Sequence, residues 1–156
     1  MHDQYTEMIT GSPLFRSLTL EGARMLLESG DVKQYREREI VIREADSPTF
    51  VLLVLTGRMQ VFIGRHGQDL ILNDTGPGGL LGELAVLCGI PRCASVRAIE
   101  NAATLQWSSG AFRNLLLREP FLSERIFRES LHGLIEKEKS LIDSLIQSQE
   151  PSTFNK

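Results

Sequence analysis

The 156-residue sequence predicts a mainly β fold, an antiparallel β-roll of the jelly-roll type with helices on both sides of it. Residues 31–107 contain short apolar runs rich in β-branched and aromatic residues, and Asp, Gly, Pro and Ser separate these runs at the spacing of an antiparallel roll. Residues 1–30 and 108–150 instead place apolar side chains three and four residues apart, which is typical of helices. A chain of this length buries about two thirds of its unfolded surface, so we expect one domain with its own core.

The N-terminal residues 1–30 are expected to form short helices, which Gly11-Ser12-Pro13 interrupts and Gly30 closes. A hairpin turn is predicted at residues 64–67, Gly-Arg-His-Gly. Residues 76–79, Gly-Pro-Gly-Gly, are interpreted as a turn, because no Lys-Ser or Lys-Thr follows them as a phosphate loop requires. The predicted strands lie at residues 32–35, 40–42, 50–55, 59–63, 70–72, 96–98 and 103–107.

Helical spacing returns after Trp107. Ser108-Ser109 provides an N-cap signal for a short helix over 111–118, and Glu119-Pro120 begins a longer helix that ends before Pro151. The long helix carries an apolar stripe that packs either on the β-roll of its own chain or, in addition, on a second copy of the chain. The stripe consists of Phe127, Leu131, Leu134, Leu141 and Leu145, and Ile135 and Ile142 widen it.

Residues 79–98, called the cassette below, combine an acid and a base in a frame of small and apolar residues. Gly78 and Gly79 would let the backbone approach a ligand, residues 84–87 offer backbone N–H groups at the start of a helical turn, and Arg92 offers a planar cationic fork. These three features suit a phosphate. A carboxylate repels a phosphate, so Glu83 is explained by a hydroxyl group on the same ligand that needs a strong acceptor. A phosphate and a sugar hydroxyl together indicate a nucleotide.

The cassette resembles that of the cyclic-nucleotide-binding domain family, which includes bacterial catabolite activators, regulatory subunits of cyclic-AMP-dependent kinase and gating domains of channels. The family pattern Phe-Gly-Glu-x-Ala-Leu appears here as Leu-Gly-Glu-Leu-Ala-Val at 81–86, and Pro-Arg-x-Ala-Ser/Thr-Val appears as Pro-Arg-Cys-Ala-Ser-Val at 91–96. The resemblance continues upstream at 12–18 and downstream at Phe112, Leu115, Leu116 and Pro120, where the family places a hinge and lid. Arg38 and Ala45 occupy positions that are often glycine in the family.

This resemblance implies a set of ligand-binding residues. Glu83 would accept a hydrogen bond from the ribose 2′-hydroxyl, and Arg92 would pair with the cyclic phosphate. Residues 108–150 become hinge and lid helices, with contacts to the base near Lys137 and Glu138, although by pattern alone residues 136–139 are a solvated helix face. The expected ligand-binding residues are Gly82, Glu83, Leu84, Ala85, Arg92, Cys93 and Ala94.

The implied function is a sensor for cyclic AMP or cyclic GMP that moves its lid helix on binding and has no catalytic activity, cofactor or metal. His2, His66 and His132 are too scattered to form a metal site. Three alternatives stay open: the sensor half of a catabolite-activator-like transcription regulator, a ligand-free interaction module on the same fold, and an internal ion pair of Glu83 with Arg92. The first is disfavoured because residues 151–156 have the composition of a frayed tail.

Bulk properties limit the compartment and the partners. A net charge of −3 and a pI near 5.6 argue against nucleic-acid binding by this chain alone. The longest apolar run, 50–55, is too short to cross a membrane. The N-terminus lacks a basic leader, so we expect a reducing cytoplasm in which Cys88 and Cys93 are buried as small hydrophobic residues, with a redox switch as the alternative. The expected partners are a cyclic nucleotide, a second copy through the long helix and an effector protein that the sequence does not identify.

Overall fold

Helices occupy both ends of the chain and strands occupy the middle. The structure is a computed structural model that describes residues 3–16 and 18–149, so His2 and the predicted tail at 151–156 lie outside the described residues. Helix α1 spans Asp3–Gly11, a single 3-10 turn spans Pro13–Phe15, and helix α2 spans Leu20–Glu28. The predicted break after Gly11 is confirmed. The side chain of Thr19 caps α2 by accepting a hydrogen bond from the backbone N–H of Gly22.

The described residues form eight strands in two antiparallel sheets, which confirms the predicted β-roll. One sheet has the order β1-β8-β3-β6 and the other β2-β7-β4-β5. The pattern missed only the two-residue β6, which pairs with β3 just before the cassette helix. The strands are β1 Asp31–Tyr35, β2 Ile40–Ile42, β3 Phe50–Thr56, β4 Met59–Arg65, β5 Gln68–Thr75, β6 Leu80–Leu81, β7 Ser95–Ala98 and β8 Ala102–Ser108.

Two predicted turns are confirmed. Strands β4 and β5 are joined through His66 and Gly67, whose φ angles of 55° and 77° belong to the two-residue hairpin turn that matches strand twist. The turn at residues 76–79 returns the chain to β3, because the N–H of Gly78 donates to the carbonyl of Val54 and the N–H of Val54 donates to the carbonyl of Gly79. Gly78 and Gly79 therefore serve strand pairing.

Strand β3 separates two apolar cores. Val51, Leu53 and Leu55 pack under the helices, together with Trp107 and Phe112 among others. Residues 52 and 54 face the inside of the roll, and all five residues from 51 to 55 are almost fully buried. This two-sided burial explains why β3 is a continuous apolar run rather than an alternating one.

Three further helices complete the chain: α3 Glu83–Cys88 in the cassette, α4 Ser109–Arg118 and α5 Pro120–Gln149. The side chain of Ser108 accepts a hydrogen bond from the N–H of Ala111, which confirms the predicted N-cap of α4. Helix α5 is about 45 Å long, and among its described side chains only Leu122 and Ile126 are buried. None of the described helices is long and apolar enough to cross a membrane.

The apolar stripe of α5 is not covered by the β-roll of its own chain. Its side chains are between 44% and 66% exposed, so packing on that β-roll does not explain it. The exposed members are Phe127, Leu131, Leu134, Ile135, Leu141, Ile142 and Leu145.

Arg38 and Ala45 have left-handed φ angles of 77° and 76°, and both occupy positions that are often glycine in the family that the chain resembles. A residue with a Cβ is destabilised by about 1–2 kcal/mol in this region. Glycine avoids that strain, and its greater conformational entropy in the unfolded chain costs only about 0.5–1 kcal/mol.

We predict that Ala45→Gly raises the free energy of unfolding by about 0.5–1 kcal/mol, measured by urea denaturation. Ala45→Val should lower the free energy of unfolding, since a β-branched residue is least tolerated at a left-handed φ. Equal effects of the two substitutions would show that the backbone at residue 45 is not strained.

Candidate functional site

The guanidinium of Arg92 lies buried between the cassette and the first residue of β3, and Arg92 is only 5% exposed. Its Nη1 donates a hydrogen bond to the carbonyl oxygen of Gly82 at 2.8 Å, and its Nη2 donates to the carbonyl oxygen of Phe50. The guanidinium also lies over the ring of Phe50, with Cζ 5.1 Å from the ring centroid. Because a guanidinium has more N–H groups than these two bonds use, it keeps donors for a further acceptor.

Burial lowers the pKa of Arg92, while Glu83 and Asp46 act in the opposite direction. An arginine side chain nevertheless remains protonated in proteins. Arg92 is therefore a positive charge that is largely removed from water, which makes an anionic ligand favourable beside it.

Gly82 is required next to Arg92 for two reasons. Its φ of 83° is left-handed, and a Cβ at this position would lie 2.5 Å from Nη1 of Arg92. Gly82 is also the N-cap of α3 and has no side chain to cap the first N–H groups of that helix. The small residue thus lets the backbone carbonyl hold the guanidinium and contributes no side-chain cap to the first turn of α3.

The backbone of Arg92 is fixed by the loop that follows β2. Its N–H donates to the carbonyl of Asp46 at 2.9 Å, and its carbonyl accepts from the N–H of Ala45 at 2.8 Å. The hydroxyl of Ser95 accepts from the N–H of Glu44 at 2.8 Å. The left-handed turn at Ala45 therefore holds the cassette in place.

Glu83 is the first residue of α3, and its Oε1 accepts a hydrogen bond from the hydroxyl of Ser130 on α5 at 2.9 Å. Glu83 and Arg92 do not form an ion pair, although both are described. The hypothesis that these two residues merely tie a loop to the sheet as an internal ion pair is therefore wrong. Each side chain instead has its own hydrogen-bond partners, although the two charges still attract each other over a longer distance.

Burial raises the pKa of the Glu83 carboxyl above its ordinary value. Four influences act in the opposite direction without cancelling this rise: its own backbone N–H, the Ser130 hydroxyl, and the positive charges of Lys137 and Arg92. The ionised carboxylate is thus held in an unfavourable environment, which is a recurring property of functional sites.

One cavity of about 460 Å³ joins these groups, a volume in the range of small-molecule binding sites. Lys137 lies on its wall, whereas Glu138 is exposed and does not line it. The cavity wall also contains all seven residues expected from the cassette, namely Gly82, Glu83, Leu84, Ala85, Arg92, Cys93 and Ala94.

Several residues of the site from other elements carry no signal that was recognised in the sequence. The carbonyl of Phe50, which holds Arg92 but does not line the cavity, carries no side-chain signal, and only the fold brings β3 to Arg92. Ser130 and Gly133 precede Lys137 by seven and four residues and therefore lie on the same face of α5. Given Lys137 as a candidate ligand contact, helical spacing would have indicated both of them. Asn73 and Thr75 of β5 also line the cavity, and no local pattern marks them.

The predicted burial of the two cysteines is wrong, since Cys88 and Cys93 are both exposed free thiols. They flank the tight turn after α3, where the chain is too close to the surface to bury them. Cys93 lies on the cavity wall, and its Sγ makes only a weak contact with the carbonyl of Pro91 at 3.8 Å.

In the part of the chain that the structure describes, no three His, Cys, Asp or Glu side chains are placed to hold a metal ion.

Comparison with known families shows that the model of the family described as "Cyclic nucleotide-binding domain" matches residues 32–119, more than half of the chain. The chain belongs to this family. The resemblance seen in the cassette is therefore confirmed, and the matched residues include the β-roll from the second residue of β1 to the end of β8, with the cassette.

Individual relatives agree with this family. The chain is 27% identical over 128 residues to the cAMP-dependent protein kinase type II regulatory subunit of Drosophila melanogaster, which covers 82% of this chain and 33% of the relative. The fold of the present chain is similar to that of the Thermus thermophilus catabolite activator protein, with a TM-score of 0.74 and 26% identity. The similarity covers 87% of this chain and 63% of the activator chain. The regulatory domain of Toxoplasma gondii PKA, solved with cAMP, has the same fold at a TM-score of 0.62 and 24% identity, covering 72% and 43% of the two chains. The chain thus spans about a third of the kinase subunit.

For this cyclic nucleotide-binding domain, the raised pKa of Glu83 predicts a stability cost. The folded protein holds the Glu83 proton more tightly than the unfolded chain, so ionising Glu83 destabilises the fold at pH values above the raised pKa. We expect Glu83→Gln to raise the melting temperature at pH 7, because a glutamine oxygen still accepts from Ser130 and carries no charge. The difference from wild type should shrink as the pH falls through the raised pKa toward the ordinary range of a glutamate.

Thermal unfolding of both proteins between pH 4 and 8 measures this dependence. Glu124→Gln is the matched control, since Glu124 pairs with Arg128 on the exposed surface of α5. A lower melting temperature for Glu83→Gln at pH 7 would show that the ionised carboxylate stabilises the fold.

Proposed function

We propose that the chain binds a cyclic nucleotide, cyclic AMP or cyclic GMP, and acts as a regulatory sensor rather than as an enzyme. The observation that supports it most is that Arg92 and Glu83 line one cavity without pairing with each other. A ligand that carries both an anion and a hydroxyl would satisfy the two groups at once. The relatives of this chain include a regulatory subunit, which favours a binding role.

In this proposal the cyclic phosphate binds the N–H groups of Arg92 that are not used by Gly82 and Phe50. Nearly complete burial of the guanidinium strengthens this charge-assisted contact, because little water competes for the donors. The uncapped N–H groups of Leu84 and Ala85 at the start of α3 add neutral donors.

The ribose 2′-hydroxyl would donate to the carboxylate of Glu83, and the base would lie against α5. Gly133 and Leu134 line that part of the cavity, with Lys137 one turn further along the helix. A Cβ at Gly133 would meet nothing within 4 Å, so the cavity is open at this point of the helix. The base therefore has room there beside Lys137, whereas Glu138 does not line the cavity.

The contacts of the cassette suggest how binding would move the lid. Arg113 of α4 donates a hydrogen bond to the carbonyl of Val86 in α3 at 2.6 Å, and Ser130 of α5 donates to Glu83. A shift of α3 toward the ligand would therefore change contacts of both C-terminal helices. Coupling of this kind typically amounts to about 1–3 kcal/mol.

A second copy of the chain is the proposed cover of the exposed stripe on α5. Apolar side chains at heptad-like spacing suit the same helix of another copy, because the pattern is complementary to itself. An effector protein that reads the position of α5 completes the proposal. The net charge of −3 favours a protein effector over nucleic acid, and the two free cysteines fit the reducing cytoplasm.

Calorimetric titration with cyclic AMP and with cyclic GMP tests the proposed function directly. We expect wild-type protein to bind at least one of them and Arg92→Leu to weaken binding by about 2–5 kcal/mol, because the phosphate loses its charged partner. A wild-type protein that gives no heat and no thermal shift with either nucleotide at millimolar concentration would refute the proposal and leave the ligand-free interaction module.

Arg92→Leu also strips the carbonyls of Gly82 and Phe50 of a donor, so a variant that does not disturb the fold is needed. Gly133→Leu fills the open part of the cavity and replaces a poor helix former, so we expect lost binding with equal or higher stability. Gly110→Leu on α4 is the matched control, since it also meets open space but does not line the cavity, and it should bind as wild type.

The oligomeric state tests the role of the stripe. Leu141 and Leu145 are 66% and 60% exposed and lie beyond the cavity, so replacing both by Asp should convert a dimer to a monomer without unfolding the β-roll. Sedimentation gives the mass and circular dichroism the fold. Leu117→Asp, at an 80% exposed position on α4, should leave the mass unchanged; a wild type that is monomeric with and without nucleotide would exclude pairing through α5.

A further inference from the structure

Ser130 connects the lid helix with the cassette. Its hydroxyl donates to Oε1 of Glu83 at 2.9 Å, across 47 residues of sequence. The buried anchors of α5, Leu122 and Ile126, lie before it, and the side chains of the helix from Leu134 onward are exposed. Ser130 is therefore placed where α5 leaves the body of the domain.

The carboxylate of Glu83 has acceptor capacity beyond the bond to Ser130. An ionised carboxylate has two oxygens, each able to accept more than one hydrogen bond, and the structure assigns Ser130 to Oε1. A terminal carboxylate otherwise rotates with little preference about its last torsion. The hydroxyl on α5, together with the backbone N–H of Glu83 itself, thus restrains the plane in which the second oxygen is presented.

We propose that Ser130 is a positioning residue that sets the preference of this domain for ribose over 2′-deoxyribose. By holding Oε1 of Glu83, it directs the carboxylate to the ligand's 2′-hydroxyl, and it links that preference to the position of α5. This inference rests on the proposed function, since it requires that a cyclic nucleotide occupies the cavity.

The charges around Glu83 support the same role. A 2′-hydroxyl donates most strongly to an ionised carboxylate, and burial raises the pKa of Glu83 against ionisation. Ser130 and Lys137, both on α5, oppose this rise, together with the backbone N–H of Glu83 and the charge of Arg92. Two of the four groups that favour the charged acceptor thus come from the lid helix.

Titration of wild type, Ser130→Ala and Ser130→Thr with cyclic AMP and 2′-deoxy cyclic AMP tests the inference, and cyclic GMP with its 2′-deoxy analogue forms a second pair. We expect Ser130→Ala to weaken binding of the ribonucleotide about three- to tenfold, the size of one lost hydrogen bond, and to change binding of the deoxynucleotide less than about twofold. Ser130→Thr keeps a hydroxyl and should retain the wild-type ratio. Ser140→Ala, the same change ten residues further along α5 and outside the cavity, should bind as wild type.

The outcomes separate the inference from the proposed function. Equal weakening for both nucleotides would show a merely structural role of Ser130 and overturn the inference while binding stands. Unchanged or tighter ribonucleotide binding would overturn it as well, since tightening means that Ser130 competes with the ligand for Glu83. Wild-type protein that binds none of the four nucleotides would overturn the proposed function and the inference with it.

Discussion

The burial of one guanidinium is the constraint on which the site depends. Arg92 is 5% exposed, and a charge in that position requires partners. The chain supplies two backbone carbonyls, from Gly82 and Phe50, and an aromatic face. Carbonyls satisfy the hydrogen bonds without neutralising the charge, whereas a carboxylate would do both. The site therefore keeps a positive charge that an anion can still use, and the left-handed φ of Gly82 and Ala45 serves to hold it.

Glu83 illustrates the conflict between stability and binding in the same few residues. Burial disfavours its charged form, yet a charged form is the better acceptor for a hydroxyl. Keeping the carboxylate ionised requires donors and positive charges from elsewhere, and part of these lie on α5. The acceptor and the helix that would act as a lid are consequently not independent of each other, as the proposed sensor would require.

Helix α5 has three parts with different surroundings. Its first turns are anchored through Leu122 and Ile126, and its middle faces the cavity through Ser130, Gly133 and Lys137. Its last turns expose the C-terminal part of the apolar stripe, Leu141, Ile142 and Leu145. An element that is fixed at one end, touches the ligand site in the middle and exposes apolar surface at the other end is suited to transmit a change of the site to a partner.

The sequence by itself determined the alternation of helices and strands, the two-residue hairpin turn, and the cassette with Gly82, Glu83 and Arg92, because these features depend on local spacing, turn chemistry and a specific motif. It also indicated a wide apolar stripe on α5, but not whether the β-roll covers it. Only the tertiary structure decided that question, as well as the acceptor role of the Phe50 carbonyl, the exposure of Cys88 and Cys93, and the contact of Ser130 with Glu83. Each of these depends on the distance between residues far apart in the chain, and backbone carbonyls and solvent exposure leave no mark in the order of the amino acids.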